Sequence, residues 1–288
     1  MLKSFGLVDN IWFDKSVIFP TRLTDKYIIH DLYGGNFTFK QQLREWELSH
    51  NNSTGRYPYV IEARNEYERK NHNSVYYALK NLVSLMRLIK YNRVYLAHIV
   101  SFENNSVTMS TSTDDPRPSN FLGKDEEITK QDLKKTELIV NILRSPLIGK
   151  KNLRILRSLS FLDSSSCSGT FERKVVELFI SLESLFTTSH EEVTYKLSSR
   201  MAWLSRPSNL IMRTKLFNEI KKGYNIRSNI VHGKAFIESK DLPLIQEIHS
   251  RTRDIILKIV FDKKLLTIFT SIDEHLNSYF NNIVMGNR

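Results

Sequence analysis

The sequence predicts an α+β protein in two parts, a mixed strand-and-helix region over residues 1–112 and an all-helical region over 131–288. Three observations predict it. The first hundred residues hold short runs rich in β-branched and aromatic side chains, each closed by turn formers. One segment among them, and nearly everything after residue 130, instead repeats its apolar residues at helical spacing. Between the two regions lies STSTDDPRPSNFLGKDEE, Ser110–Glu127, whose prolines, glycine and small polar residues mark a connection, so a linker is expected over 113–130.

In chain order, SVIFPTRL, KYIIHDLY and RYPYVIEAR read as strands. The stretch holding Arg44 and His50 reads as a polar loop running into HNNSTG. NSVYYALKNLVSLMRLIKY is an amphipathic helix with Val75, Leu79, Leu82, Val83, Met86 and Ile89 on one side. VYLAHIVSF and SVTMSTS form a hairpin around Glu103-Asn104-Asn105. The helices of the second part begin with QDLKKTELIVNILRS, followed by FERKVVELFISLESLFTT behind Thr170 as N-cap. Ser189-His190-Glu191-Glu192 has the spacing of a capping box, opening EVTYKLSSRMAWLS. A helix over about 210–232 ends at Gly233, where a left-handed cap is wanted. DLPLIQEIHSRTRDIILKIVF starts near Asp241 and Pro243, and LLTIFTSIDEHLNSYF is a last single helix. Trp12, Trp46, Tyr57 and Tyr59 suit an ordinary sheet core; the alternative is a sensor or substrate-guiding surface.

Composition narrows the function classes. Hydrophobic residues make up 41% and charged residues 25%, normal for a globular chain with a real core. The apolar runs fall short of the roughly 18 residues that span a bilayer, and MLKSFGLVDNIWF lacks the apolar centre of a signal peptide, so a cytoplasmic protein without a membrane partner is expected. The single cysteine, Cys167 in DSSSCSG, excludes an intramolecular disulfide, argues against a thiolate zinc site and reads as a surface thiol. The net charge is +11, with 16 basic against 13 acidic residues through Asp125 and 26 against 18 beyond it. A basic excess concentrated in the helical part makes a polyanion, nucleic acid first, a sensible partner. No cofactor or metal is expected. A Gly-rich phosphate loop is missing, and neither His190-Glu191-Glu192 nor Asp273-Glu274-His275 has the His-Glu-x-x-His spacing of zinc enzymes. Glu62 in YVIEAR is similar to the acidic strand of metal-dependent nucleases but has Arg64 two residues on and no evident acidic partner.

An arginine followed by a histidine after four to six intervening residues occurs three times: Arg44 and His50, Arg93 and His98, Arg227 and His232. With 19 Arg and 8 His in 288 residues, chance supplies about half a match for each spacing, so context has to choose. Arg93 and His98 sit on a strand, where residues five apart face opposite sides. Arg227 and His232 finish an amphipathic helix carrying Leu216, Phe217, Ile220 and Tyr224. Five helical residues turn through about 500°, leaving the two side chains about 140° apart. One copy makes a poor site, whereas two copies about a two-fold axis would pool two arginines and two histidines in one cleft.

FERKVVELFISLESLF, SHEEVTYKLSSRMAWL and KKGYNIRSNIVHG resemble, in order and spacing, the Apea-like branch of the HEPN superfamily. The resemblance covers about residues 132–280 and is strongest from Phe171 to Gly233. It implies a helical bundle that dimerises with its Arg and His motif at the dimer cleft, and an activity as a metal-independent endoribonuclease. It places Arg227 and His232 in the catalytic positions, with Ser228 where the wider superfamily often has Asn, Asp or His. Glu183 matches an acidic position of the preceding helix and would orient Arg227, with Ser228 and Asn229 as further supporting residues. Its alternative role is to hold two helices together. Tyr224 is read as packing. Lys221, Lys222 and Lys234 are candidate RNA contacts, or a solvated helix face.

The chemistry agrees with the residue types. RNA carries its own nucleophile, the 2′-hydroxyl, so cleavage needs only proton transfer and charge stabilisation. Histidine moves protons near neutrality and arginine grips non-bridging phosphate oxygens in a fixed fork. A position at a helix C-terminus suits His232 as proton donor or phosphate contact. The expectation is a homodimeric ribonuclease of the toxin, abortive-infection or antiphage kind, acting on RNA such as tRNA and restrained by an antitoxin or trigger protein. The alternatives are a non-catalytic RNA- or protein-binding module and the partner of a nucleotidyltransferase.

Overall fold

The computed structural model describes residues 3–9, 11–50, 57–63, 72–103, 106–112, 118, 125–144, 153–167, 169–189, 191–205, 208–234 and 239–284. The chain divides into two compact units, Met1–Val140 and Asn141–Arg288.

The first unit is built on a six-stranded antiparallel sheet. Its strands are β1 (Lys3–Asp9), β2 (Thr21–Arg22), β3 (Tyr27–Asp31), β4 (Tyr59–Ala63), β5 (Tyr95–Glu103) and β6 (Ser106–Ser112), in the order β2-β3-β4-β1-β5-β6. The three expected strand regions and the hairpin are present, although SVIFPTRL keeps only the two residues of β2. The strand unread in the sequence is β1, which lies inside the sheet, pairing Leu7 with Val60 on one side and Phe5 with Val100 on the other. Its Gly6 interrupts the apolar alternation for a steric reason. A Cβ there would sit 2.7 Å from Leu96 Cδ1 and 3.0 Å from Leu79 Cδ1.

Helix α1 (Lys40–His50) is a second addition, because the stretch around Arg44 is helical rather than a loop. Phe39, Leu43 and Trp46 pack with Phe5, Leu7 and Val60, and the Arg44 guanidinium lies 5.4 Å from the Tyr33 ring. The opposite face receives α2 (His72–Ile89), where Val75, Leu79, Leu82, Val83 and Met86 are buried as the periodicity predicts. Trp46 and Tyr57 are core residues, whereas Trp12 stays 60% exposed.

Several polar groups buried in this unit are matched to one another. His30 Nε2 pairs with Glu62 Oε2 at 2.9 Å and its ring stacks 4.3 Å from Phe37. Buried Glu47 accepts from the Tyr33 hydroxyl and from the Tyr57 amide. The acidic strand residue Glu62 is thus a partner for a histidine of the neighbouring strand.

Residues 113–117 and 119–124 of the expected linker lie outside the described residues. Its last part is fixed within the first unit: Arg93 pairs with Asp125 at 2.6 Å and the Ile128 amide donates to the Trp12 carbonyl. Helix α3 (Lys130–Leu143) follows, and the division between the units falls inside it. Its start carries a reciprocal cap, the Asp132 amide donating to Thr129 Oγ1 while the Thr129 amide donates to Asp132 Oδ2.

The second unit contains α4 (Arg154–Cys167), α5 (Phe171–Phe186), α6 (Val193–Ser205), α7 (Leu210–Val231), α8 (Leu242–Phe261), α9 (Lys263–Phe269) and α10 (Asp273–Val284). Helix α5 is central, with Val175, Leu178, Phe179, Leu182, Leu185 and Phe186 all buried. Its N-cap is Thr170, whose hydroxyl accepts from the Arg173 amide at 3.3 Å. Two buried arginines hold its other end. Arg154 donates to the Leu185 and Thr187 carbonyls and pairs with Asp273; Arg200 donates to the Phe186 carbonyl and to Asn277.

Three expectations are corrected here. Ser189–Glu192 is no capping box, because Glu192 stands before α6 with a left-handed φ of 53° instead of being helical, and the Ser189 hydroxyl accepts from Lys196 Nζ. LLTIFTSIDEHLNSYF is two helices, broken at Thr270–Ile272, where the Thr270 and Ser271 hydroxyls donate to the carbonyls of Leu266 and Ile268. Cys167 is 6% exposed, not a surface thiol. DSSSC forms the end of α4, its Ser165 and Ser166 hydroxyls turning back to the Leu162 carbonyl, which removes the polarity that made Cys167 read as a surface thiol. Beside it, buried His249 accepts or donates at Ser166 Oγ, 3.1 Å away, and burial pushes its pKa down to about 3.

Among the described residues, no helix is long and apolar enough to cross a membrane.

Candidate active site

Helix α7 starts at Asn209, whose side chain accepts from the Met212 amide. Of its 22 residues only Leu216, Ile220 and Gly223 are buried, a narrow stripe at spacings of four and three. Arg227 falls next on that stripe. The approach is close at Gly223, where a Cβ would meet Ile248 Cδ1 at 2.5 Å and Phe179 Cζ at 2.8 Å. One turn further along both α7 and α5, the same seam brings Arg227 to Glu183, with Arg227 Nη2 3.4 Å from Glu183 Oε1. A side chain at position 223 would wedge the helices apart one turn before this pair.

Tyr224 belongs to the same group. Its ring packs edge-on against Phe179 at 5.7 Å and lies 5.6 Å from the Arg227 guanidinium carbon. Burial holds its phenol pKa above the ordinary value, reinforced by the Glu183 charge and a hydrogen bond to Glu183, and opposed by Arg227. Glu183 therefore serves both the arginine and the tyrosine, a role for Tyr224 that the packing reading missed. The signal was present: positions 220, 223, 224 and 227 share one helical face. Arg227 Nε is buried with no hydrogen-bond partner among the described residues.

The helix then stops by a Schellman motif. The Gly233 amide donates to the Ile230 carbonyl and the Lys234 amide to the Asn229 carbonyl, with Gly233 at φ 64° as the left-handed cap expected from the sequence. His232 is the C-cap residue, and its amide donates to the Ser228 carbonyl. Its ring is exposed and, among the described residues, makes no hydrogen bond or ion pair. The structure thus brings Glu183, Tyr224 and Arg227 together and leaves His232 off their seam, as five residues of helix require. Ser228 is half-buried and Asn229 exposed, each entering the cap through its carbonyl. Lys221, Lys222 and Lys234 are exposed and without ion pairs among the described residues.

Glu183 also lines an open cleft of about 780 Å³. Leu153, Arg154 and Arg157 border it from the start of α4, Ile180, Ser184 and Thr187 from the end of α5, residues 270–272 from the turn between α9 and α10, and Asp273 and Glu274 from the start of α10. Sequence reading named Glu183 but not the cleft it lines, because the cleft joins the start of α4, the end of α5 and residues 270–274, which are far apart in the chain.

The two other Arg–His spacings have structural employment. Arg93 is held by Asp125, while the His98 ring is bonded by the Tyr57 hydroxyl at 3.1 Å and Ser112 Oγ at 3.3 Å. Arg44 rests on Tyr33, and the His50 side chain lies outside the described residues.

No family model, curated protein or solved structure matches this chain.

Proposed function

We propose that the second unit is a metal-independent endoribonuclease of the HEPN kind, active as a homodimer, with Arg227 and His232 as catalytic residues. The observation that carries this reading is the division of labour at the end of α7. Arg227 is half-buried and oriented by Glu183, while His232, five residues on, projects exposed from the cap. Arginine fixed by a carboxylate is pre-set to receive a phosphate, and an exposed imidazole is free to reach a leaving oxygen.

In the proposed reaction the RNA 2′-oxygen attacks the adjacent phosphorus and the bond from phosphorus to the 5′-oxygen breaks. Arg227 meets the charge growing on the non-bridging oxygens. His232 delivers a proton to the departing 5′-oxygen, and the imidazole of a second copy takes the proton from the 2′-hydroxyl. The products are a 2′,3′-cyclic phosphate and a free 5′-hydroxyl. Lys221 and Lys222 on α7 and Lys234 just beyond it are exposed and suit the flanking phosphates. Dimerisation is supported by α7 itself, which keeps Leu210, Ile211, Met212 and Val231 exposed. The likeness of 171–233 to the Apea-like branch supports a role as an effector in toxin, abortive-infection or antiphage systems, with the first unit receiving an antitoxin or trigger.

The test is cleavage of total RNA and tRNA by purified protein in EDTA, comparing wild type with Arg227→Ala and His232→Ala after each is shown to be folded. Discrete fragments from wild type alone support the reading. Intact RNA in every lane, with RNA still bound, replaces it with the non-catalytic binding module.

A further inference from the structure

The cleft that shares Glu183 with the Arg227 pair has its own chemistry. Five charged side chains line it. Arg154 is engaged with Asp273 and with the end of α5, and Glu183 with Arg227. Arg157 and Glu274 have no ion pair among the described residues and do not reach each other, so an exposed cation and an exposed carboxylate face one cavity uncommitted. The hydroxyls around them are biased. Thr187 Oγ1 donates to the Glu183 carbonyl at 2.6 Å, Thr270 Oγ1 to the Leu266 carbonyl at 2.8 Å, and Ser271 Oγ to the Ile268 carbonyl at 2.6 Å. A hydroxyl that already donates offers only lone pairs. With Glu274, these three hydroxyls make one part of the wall that seeks N–H donors, while Arg157 offers donors to an anion. Leu153 and Ile272, both substantially exposed, add apolar surface suited to a flat ring. A volume near 780 Å³ falls within the range of small-molecule sites.

We propose that this cleft receives a nucleobase bearing an exocyclic amino group, adenine, cytosine or guanine, from the RNA strand gripped at Arg227. Glu274 accepts from the amino group and Arg157 contacts a neighbouring phosphate. The proposal rests on the ribonuclease reading and adds base selection to it: uracil, without an amino group, leaves Glu274 desolvated and unpaired.

The test uses the full-length protein and labelled ten-nucleotide homopolymers of A, C and U, each 2′-O-methylated so that cleavage cannot intervene, with affinities read by fluorescence anisotropy. Wild type should bind the A and C strands about tenfold more tightly than the U strand. Glu274→Ala should bring the three affinities together without weakening the U strand, and Arg157→Ala should weaken all three alike. Ser184→Leu, which fills the cleft from α5, should abolish the preference as a second variant. Equal wild-type affinities, or a preference unchanged in Glu274→Ala, overturn the cleft proposal and leave the ribonuclease reading standing. Failure of wild type to bind any strand overturns both.

Discussion

Two Arg–His pairs with the same four-residue gap meet opposite fates. In the first unit, Arg93 is bound by Asp125 and His98 is bonded at both ring nitrogens by Tyr57 and Ser112. In the second, Arg227 is positioned by Glu183 but His232 is exposed without a protein partner among the described residues. Spacing is identical, so spacing carries no functional information. Both arginines are paired with a carboxylate; what differs is the histidine, satisfied at both ring nitrogens in the first unit and left open in the second. The first unit matches His30 to Glu62 and Glu47 to Tyr33 in the same way. Groups paired inside a fold stabilise it, and groups held ready but unpaired are those available to a ligand.

The largest test of this contrast is on chemistry. Arg227→Ala should lower RNA cleavage by about a hundredfold to a thousandfold, whereas Arg93→Ala should leave the rate per folded molecule unchanged. Comparable losses in both would erase the distinction. The reverse order is expected for stability. His30→Leu removes one partner of a buried pair and should cost about 3 kcal/mol, read as a shift in the urea midpoint. His232→Leu should stay within about 0.5 kcal/mol, as exposed substitutions do.

Gly223→Leu sharpens the comparison without touching a polar group. Wedging α7 from α5 should cost about 2–3 kcal/mol and should lower cleavage in the molecules that remain folded, because Glu183 no longer meets Arg227. Undiminished activity would show that the ion pair does not position the arginine. A pH-dependent effect concerns His249. Its folded pKa, about 3, lies below the unfolded value of 6.5, so the unfolded chain takes up the proton first. This contribution is constant above pH 6.5 and falls as the pH drops from there towards 3, by about 2 kcal/mol at pH 5. The difference in stability between wild type and His249→Gln, measured by urea titration from pH 8 to 5, should change by that amount; a constant difference would mean that the histidine protonates in place.

Much of the secondary structure was legible because its causes are local. The stripe of α2, Thr170 as an N-cap and Gly233 as a left-handed stop each depend on residues within about four positions. The failures were signals that more than one local structure could satisfy, or that contacts from elsewhere overruled. Ser189-x-x-Glu192 matched a capping pattern that the backbone uses instead at Thr129 and Asp132. The polar DSSSC became the buried end of a helix once its hydroxyls found the Leu162 carbonyl. β1, weak in pattern because of Gly6, became an interior strand because only a glycine admits Leu79 and Leu96.

By itself the sequence determined the α+β class, the helix carrying Arg227 and His232, and the cap that ends it, since these follow from periodicity and from hydrogen bonds inside one segment. Only the tertiary structure decided which carboxylate meets Arg227, that Tyr224 joins them, that Cys167 is buried and that a cleft opens beside Glu183. Those outcomes join residues 40 to 120 positions apart or turn on how closely helices pack, and a side chain's partners across such distances are set by packing in three dimensions rather than by any pattern along the chain.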